Sequence, residues 1–128
     1  MDGHGERPAF CPYYHRAVEL IGRRWSGVIL RAMLSGVERF SDLTAAVPGL
    51  SDRLLSERLK EFEAEGLVER VVYPETPVRI VYRLTDKGRA LGDVVTAVSD
   101  WAEAWVRSEA SDACDALAPV GPARETAR

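Results

Sequence analysis

This sequence predicts a mostly helical, single-domain α+β fold carrying one small β-hairpin. Its 128 residues fall within the roughly 100 to 150 that one domain occupies. Apolar residues recur at helical spacing in several segments, and the period becomes that of strands only between Leu67 and Leu84. With 46% hydrophobic and 29% charged residues, the composition is that of an ordinary globular chain. No apolar run approaches the ~18 residues that cross a bilayer, so no membrane span is expected. Charges, Gly and Pro occupy the opening residues where a secretory signal would be apolar, which makes the cytoplasm the expected compartment.

Residues 1–10 read as a flexible lead containing Gly3, Gly5 and Pro8. A first helix is expected after Cys11-Pro12, because proline fits the first helical turn, and it runs through Val18, Leu20 and Ile21 to a stop at Gly22. A second begins near Ser26. Its Val28, Ile29, Leu30, Ala32, Met33 and Leu34 make it apolar enough to be largely buried, and Ser35-Gly36 ends it. Phe40-Ser41-Asp42-Leu43 supplies a hydroxyl cap for a short helix reaching Val47. Pro48-Gly49-Leu50 then breaks the chain, and Ser51-Asp52 caps a helix through Glu65, with Gly66 as its C-terminal cap.

That helix is amphipathic. At about 100° per residue, Leu54, Leu55, Leu59 and Phe62 share an arc of about 140°, with Arg53, Ser56, Glu57 and Lys60 opposite. Arg58 falls inside the apolar arc, where it must snorkel or find a partner. Residues 67–73 and 78–84 alternate as two strands, and the prolines of Pro74-Glu75-Thr76-Pro77 stiffen the hairpin tip between them. Thr85-Asp86 caps one last helix, with Leu91, Val94, Val98, Trp101 and Trp105 along one side, ending near Arg107. The domain therefore spans residues 11–107, and residues 108–128 read as a mostly disordered acidic tail.

The net charge of -3 does not describe both ends of the chain. Residues 1–89 hold 14 Lys and Arg against 13 Asp and Glu, whereas residues 90–128 hold 3 against 7. Phosphate contact depends on charge within a Debye length of roughly 8 Å, so a local basic face suffices and nucleic acid is permitted as a partner. The order of elements is that of a winged helix-turn-helix: two helices, a short helix, a sharp turn, a further helix, a hairpin and a closing helix. In such a fold one helix enters the major groove, about 12 Å wide, with its back anchored in a core. The segment from Ser51 to Glu65 has that construction. Arg53 can reach guanine bidentately or a phosphate, Ser56 and Glu57 can address base edges, and Lys60 suits the backbone. Ser41 and the amides that open the short helix can hold a phosphate, with Arg39 alongside. Solvated surface charge is the bland alternative for all of these side chains.

Several motifs make the chain resemble the HxlR-type branch of the MarR-like transcriptional regulators. They are Cys11-Pro12, Gly22-Arg23-Arg24-Trp25-Ser26, Arg39-Phe40-Ser41-Asp42-Leu43, Pro48-Gly49, Glu65-Gly66-Leu67-Val68-Glu69-Arg70, Tyr73-Pro74 and Leu84-Thr85-Asp86-Lys87-Gly88. The match covers about residues 11 to 107, and its specificity lies in the whole series in order. The resemblance implies a homodimer on a pseudo-palindromic operator in double-stranded DNA, with Arg79 matching the family's wing arginine. It also implies that the first helix packs beside the last, so Tyr14, Val18, Val94, Val98, Trp101 and Trp105 are the candidate dimer residues. Some members sense oxidants or electrophiles through a cysteine near Cys11, by disulfide formation or alkylation.

Cys11 stands just before a helix, at the positive end of its dipole, and His15 lies one turn away, a setting in which a reactive cysteine is a candidate. A small apolar residue at a dimer seam is the competing account of the same cysteine. A small-molecule effector between the helices is a further candidate. Neither cofactor nor metal is expected, because His4, Cys11, His15 and Cys114 are scattered along the chain. Catalysis is not expected either, since no third orienting residue accompanies Cys11 and His15. A winged helix used only for protein-protein contact is the alternative function.

Overall fold

A computed structural model of the chain describes residues 7–107. Its helices are α1 (Pro12–Ile21), α2 (Ser26–Leu34), α3 (Phe40–Ala46) and α4 (Asp52–Ala64), followed by strands β1 (Val68–Tyr73) and β2 (Arg79–Leu84). Two more helices follow, α5 (Asp86–Arg89) and α6 (Gly92–Trp101), and α6 runs on into a π-helical segment, Ala102–Val106. These residues divide after Gly92 into two compact units.

The first unit is built around α4. Leu55, Leu59 and Phe62 are 0–1% exposed and meet Ile29 and Leu30 of α2, Leu43 of α3, and Leu67 and Val68 at the start of the hairpin in one cluster. Each such side chain contributes about 1.5 to 3 kcal/mol by leaving water, which fixes the back of α4 and leaves its outer face free to be polar. Local signals set the ends of the helix. Ser51, in extended backbone, accepts from the Leu54 amide at 3.1 Å. At the other end Gly66 takes φ +78°, the left-handed position that glycine occupies without strain. Lys87 Nζ adds a bond to the Glu65 carbonyl at 2.6 Å.

The hairpin is antiparallel in the register Val68↔Leu84 to Tyr73↔Arg79. A third segment joins it: Arg39 bridges Val81, and the Tyr82 amide donates to the Glu38 carbonyl at 2.8 Å. The entrance to α3 is thereby tied to the wing.

Two elements differ from the sequence reading. The expected single last helix is interrupted after Arg89, because Thr85 caps the four-residue α5 by accepting from the Gly88 amide at 3.1 Å and α5 then ends at Ala90. Gly88 itself packs against the Leu67 carbonyl so closely that a Cβ could not be accommodated. A tertiary contact fixes this turn, and the low helix propensity of Gly88 and Gly92 permits the break. The second difference concerns Ser41, which is not the cap of α3. Arg39 holds the N-cap position without a side-chain bond, and Ser41 lies one residue inside the helix. The expected lead falls partly, at residues 1–6, and the expected tail wholly, at residues 108–128, outside the described residues.

In the second unit, the outer positions Val94, Val98 and Trp101 of α6 are 40–62% exposed, and Trp105 in the π-helical segment is 59% exposed.

Candidate nucleic-acid interface

The short α3, the turn through Pro48-Gly49 and the capped α4 form a helix-turn-helix whose second helix carries the polar face read from the sequence. Arg53, Glu57 and Lys60 are exposed and Ser56 is half-buried, all on the side away from Leu55, Leu59 and Phe62. Arg53 leaves 87% of its side chain in solvent and rests Nε 3.4 Å from Glu57 Oε2, one helical turn on. Such an exposed pair is weak, so the guanidinium can be redirected at little cost. Ser51 is occupied as the helix cap.

Arg58 is the inward-facing charge, and it has partners. Its Nε donates to the Arg24 carbonyl at 2.9 Å, and its Nη1 lies 3.4 Å from Glu61 and 3.9 Å from Glu57. Arg23 reaches Glu61 as well, at 3.2 Å, while Arg16 of α1 grips Glu65 at 2.9 Å. Helix α4 is therefore anchored by its apolar back and by charge contacts to α1 and the α1–α2 connection.

Arg39, Ser41 and Arg79, distant in sequence, line one cleft of about 460 Å³ together with Glu75, Pro77 and Val78. The bridge from Arg39 to Val81 brings them together. Arg39 and Ser41 are exposed. Arg79 is more confined: Nη2 is 3.1 Å and Nε 3.5 Å from the two Glu75 carboxylate oxygens, and Cζ stands 4.1 Å from the centre of the Tyr73 ring. The hydrogen bonds that Arg79 donates to Glu75, and after them the charges of Glu75 and Tyr73, outweigh desolvation and raise the Arg79 pKa above its already high ordinary value. Arg83 holds the same tyrosine from its other end, donating to the Tyr73 hydroxyl at 3.0 Å and lying 3.6 Å from Glu38.

Tyr73, Glu75, Arg83 and Glu38 hold Arg79 or its supports at this cleft, and none of them was among the candidate DNA contacts read from the sequence. Glu75 had a signal, since it stands four residues from Arg79 at a stiffened tip. The others depend on strand register and on the bridge to Val81, which no local pattern encodes.

Cys11 is a half-buried free thiol at the N-cap of α1, in extended backbone, and its carbonyl accepts from the His15 amide at 2.9 Å. The Phe10 and His15 rings lie 5.6 Å apart between centres. On α1, Tyr14 is 72% and Val18 43% exposed. Cys114 and His4 lie outside the described residues. Among the described residues no group of three or more His, Cys, Asp or Glu could hold a metal ion, and no helix is long and apolar enough to cross a membrane.

Residues 20–110 match the HxlR-like helix-turn-helix family. Over 96 residues the chain is 52% identical to the HTH-type transcriptional regulator YvaP of Bacillus subtilis (strain 168), an overlap of 75% of this chain and 89% of that protein. The reduced form of the transcriptional regulator YodB from B. subtilis superposes with a TM-score of 0.67 at 43% identity, covering 75% of this chain and 94% of that one. YodB has also been solved bound to quinone, with a TM-score of 0.64 to this chain at 38% identity and coverages of 74% and 100%. The redox regulator HypR in its oxidised form superposes with a TM-score of 0.68 at 34% identity, covering 73% and 96%.

Proposed function

The chain belongs to the HxlR-like helix-turn-helix family, and from that premise we propose that it regulates transcription as a homodimer that reads a pseudo-palindromic operator through α4 and the wing. The observation that carries this reading is the construction of α4. Its buried Leu55, Leu59 and Phe62 hold a short outward row of Arg53, Ser56, Glu57 and Lys60 at the width a major groove admits. Arg53 contacts a base edge, Ser51, Ser56 and Glu57 border it, and Lys60 lies along the backbone. Arg39 and Ser41 take a phosphate at the entrance of α3, and Arg79 serves the flanking minor groove. The cytoplasm is the compartment of this work, and the role is binding rather than catalysis.

Two copies pair through the apolar positions exposed on α1, on α6 and on the π-helical segment after it, Tyr14, Val18, Val94, Val98, Trp101 and Trp105. Pairing doubles a module interface that alone is about 600 to 1,000 Å² and sets two half-sites roughly 34 Å apart. Cys11 is the candidate sensing thiol. Its place at the N-terminus of α1 supports this, as does similarity to YodB, solved reduced and bound to quinone, and to HypR, a redox regulator.

The test of the reading is selection of duplexes from a random pool followed by footprinting. Enrichment of one inverted repeat, protected over two successive major grooves, is expected; a pool left unenriched by the protein contradicts it. For the thiol, diamide or quinone should modify Cys11 in a mass spectrum and weaken binding to the enriched duplex, and Cys11→Ser should abolish both effects. An unmodified Cys11 with unaltered affinity removes it as a sensor.

A further inference from the structure

The acidic side chain at the wing tip has no evident place in a surface meant for phosphates. A carboxylate there repels the duplex, yet Glu75 engages the one wing arginine that lines the cleft with Arg39 and Ser41. Its two oxygens take Nη2 and Nε in fork geometry at 3.1 and 3.5 Å, and the Tyr73 ring covers a face of the same guanidinium at 4.1 Å. Arg83 pins Tyr73 through its hydroxyl, so the platform under Arg79 is itself fixed.

We infer that Glu75 is a specificity-determining residue: it clamps Arg79 against Tyr73 and withholds it from duplexes in which the flanking minor groove does not draw it out. The inference rests on the reading of Arg79 as the wing contact. Binding to DNA of arbitrary sequence is almost wholly charge-driven, so an arginine neutralised by its neighbour contributes little to it. A narrow minor groove carries an enhanced negative potential that attracts arginine, whereas a groove of ordinary width does not. Arg79 is held at two points by Glu75 and is only 34% exposed beside the Tyr73 ring, so it stays with its partner against a single ordinary phosphate, where the one-point Arg53–Glu57 pair would yield. The stronger negative potential of a narrow groove is needed to open it. Random duplex therefore meets a closed wing, and the operator meets an open one.

Glu75→Gln keeps the shape and removes the clamp. Glu69→Gln, at an exposed position of β1, removes the same unit of charge from the same hairpin and leaves Arg79 clamped. Affinities of both variants, of Arg79→Ala and of the unaltered chain are measured by fluorescence anisotropy at several salt concentrations. The probes are a duplex enriched from a random pool and a scrambled duplex of the same composition. E75Q is expected to tighten binding to the scrambled duplex by about two- to fivefold, with a log-log salt slope steeper by about 0.9, and to change the enriched duplex less. E69Q is expected to do neither. Equal tightening on both duplexes, an equal effect of E69Q, no change, or weaker binding by E75Q would each overturn the assignment. If R79A leaves the enriched duplex unaffected, the wing reading itself fails; if R79A weakens it and E75Q has none of the expected effects, only the clamp fails.

Discussion

Arg58 and Arg16 both tie α4 to its surroundings, and burial separates what each contributes. Arg58 is 10% exposed and its Nε satisfies the Arg24 carbonyl, whereas Arg16 meets Glu65 with 76% of its side chain in water. Arg58→Ala should lower the unfolding free energy in urea by about 1 to 3 kcal/mol, since it strands a carbonyl and the facing glutamates. Arg16→Ala should cost below about 1 kcal/mol. Equal losses would mean that burial does not set the strength of these contacts. Ser26 is the converse case: fully buried at the start of α2, its hydroxyl has no hydrogen-bond partner among the described residues. Ser26→Ala should therefore be neutral or stabilising by up to about 1 kcal/mol in the same titration, and a clear loss would show that the hydroxyl is satisfied in solution. The inward position of Arg58 was legible from the helical wheel, but its partner was not. Arg24 lies 34 residues away, and a carbonyl leaves no mark in a residue pattern.

Helix ends carry their own local chemistry, which is why α1 and α4 could be placed from residue types. Proline at the first turn of α1, Ser51 before α4 and Gly66 after it act within a few residues of where they stand. Removing the cap with Ser51→Ala should cost about 0.5 to 2 kcal/mol of stability, and Leu55→Ala, which opens a hole behind the same helix, about 2 to 5 kcal/mol. Calorimetry or urea unfolding checks the order; a costlier S51A would place the anchoring of α4 at its end rather than along its back. The break before α6 was not legible, because it depends on Gly88 fitting beneath the Leu67 carbonyl, a contact between segments about 20 residues apart. Gly88→Ala should force those elements apart and destabilise by about 1 to 3 kcal/mol. The bridge from Arg39 to Val81 escaped for the same reason: two residues have no period, yet they bring Arg39, Ser41 and Arg79 into one cleft.

At the level of the whole molecule, recognition of a two-fold operator takes a pair of α4 helices and a modest number of phosphate contacts. The acidic Asp52, Glu57, Glu61, Glu63 and Glu65 on or beside α4 keep its net field low, so affinity should be moderate and fall steeply with salt, by about 0.9 in log-log slope per contact. Sedimentation at micromolar concentration should find a dimer, and Trp101→Ala or Val98→Lys should shift it toward monomer; a monomer in the unaltered chain would return these side chains to the service of a single copy. The most direct measurement of the central claim is the affinity of Arg53→Ala for the enriched duplex and for a scrambled one. A loss of about 1 to 3 kcal/mol on the enriched duplex, with a much smaller change on the scrambled one, is the result expected of a base contact from α4. Unchanged affinity for the enriched duplex would contradict it.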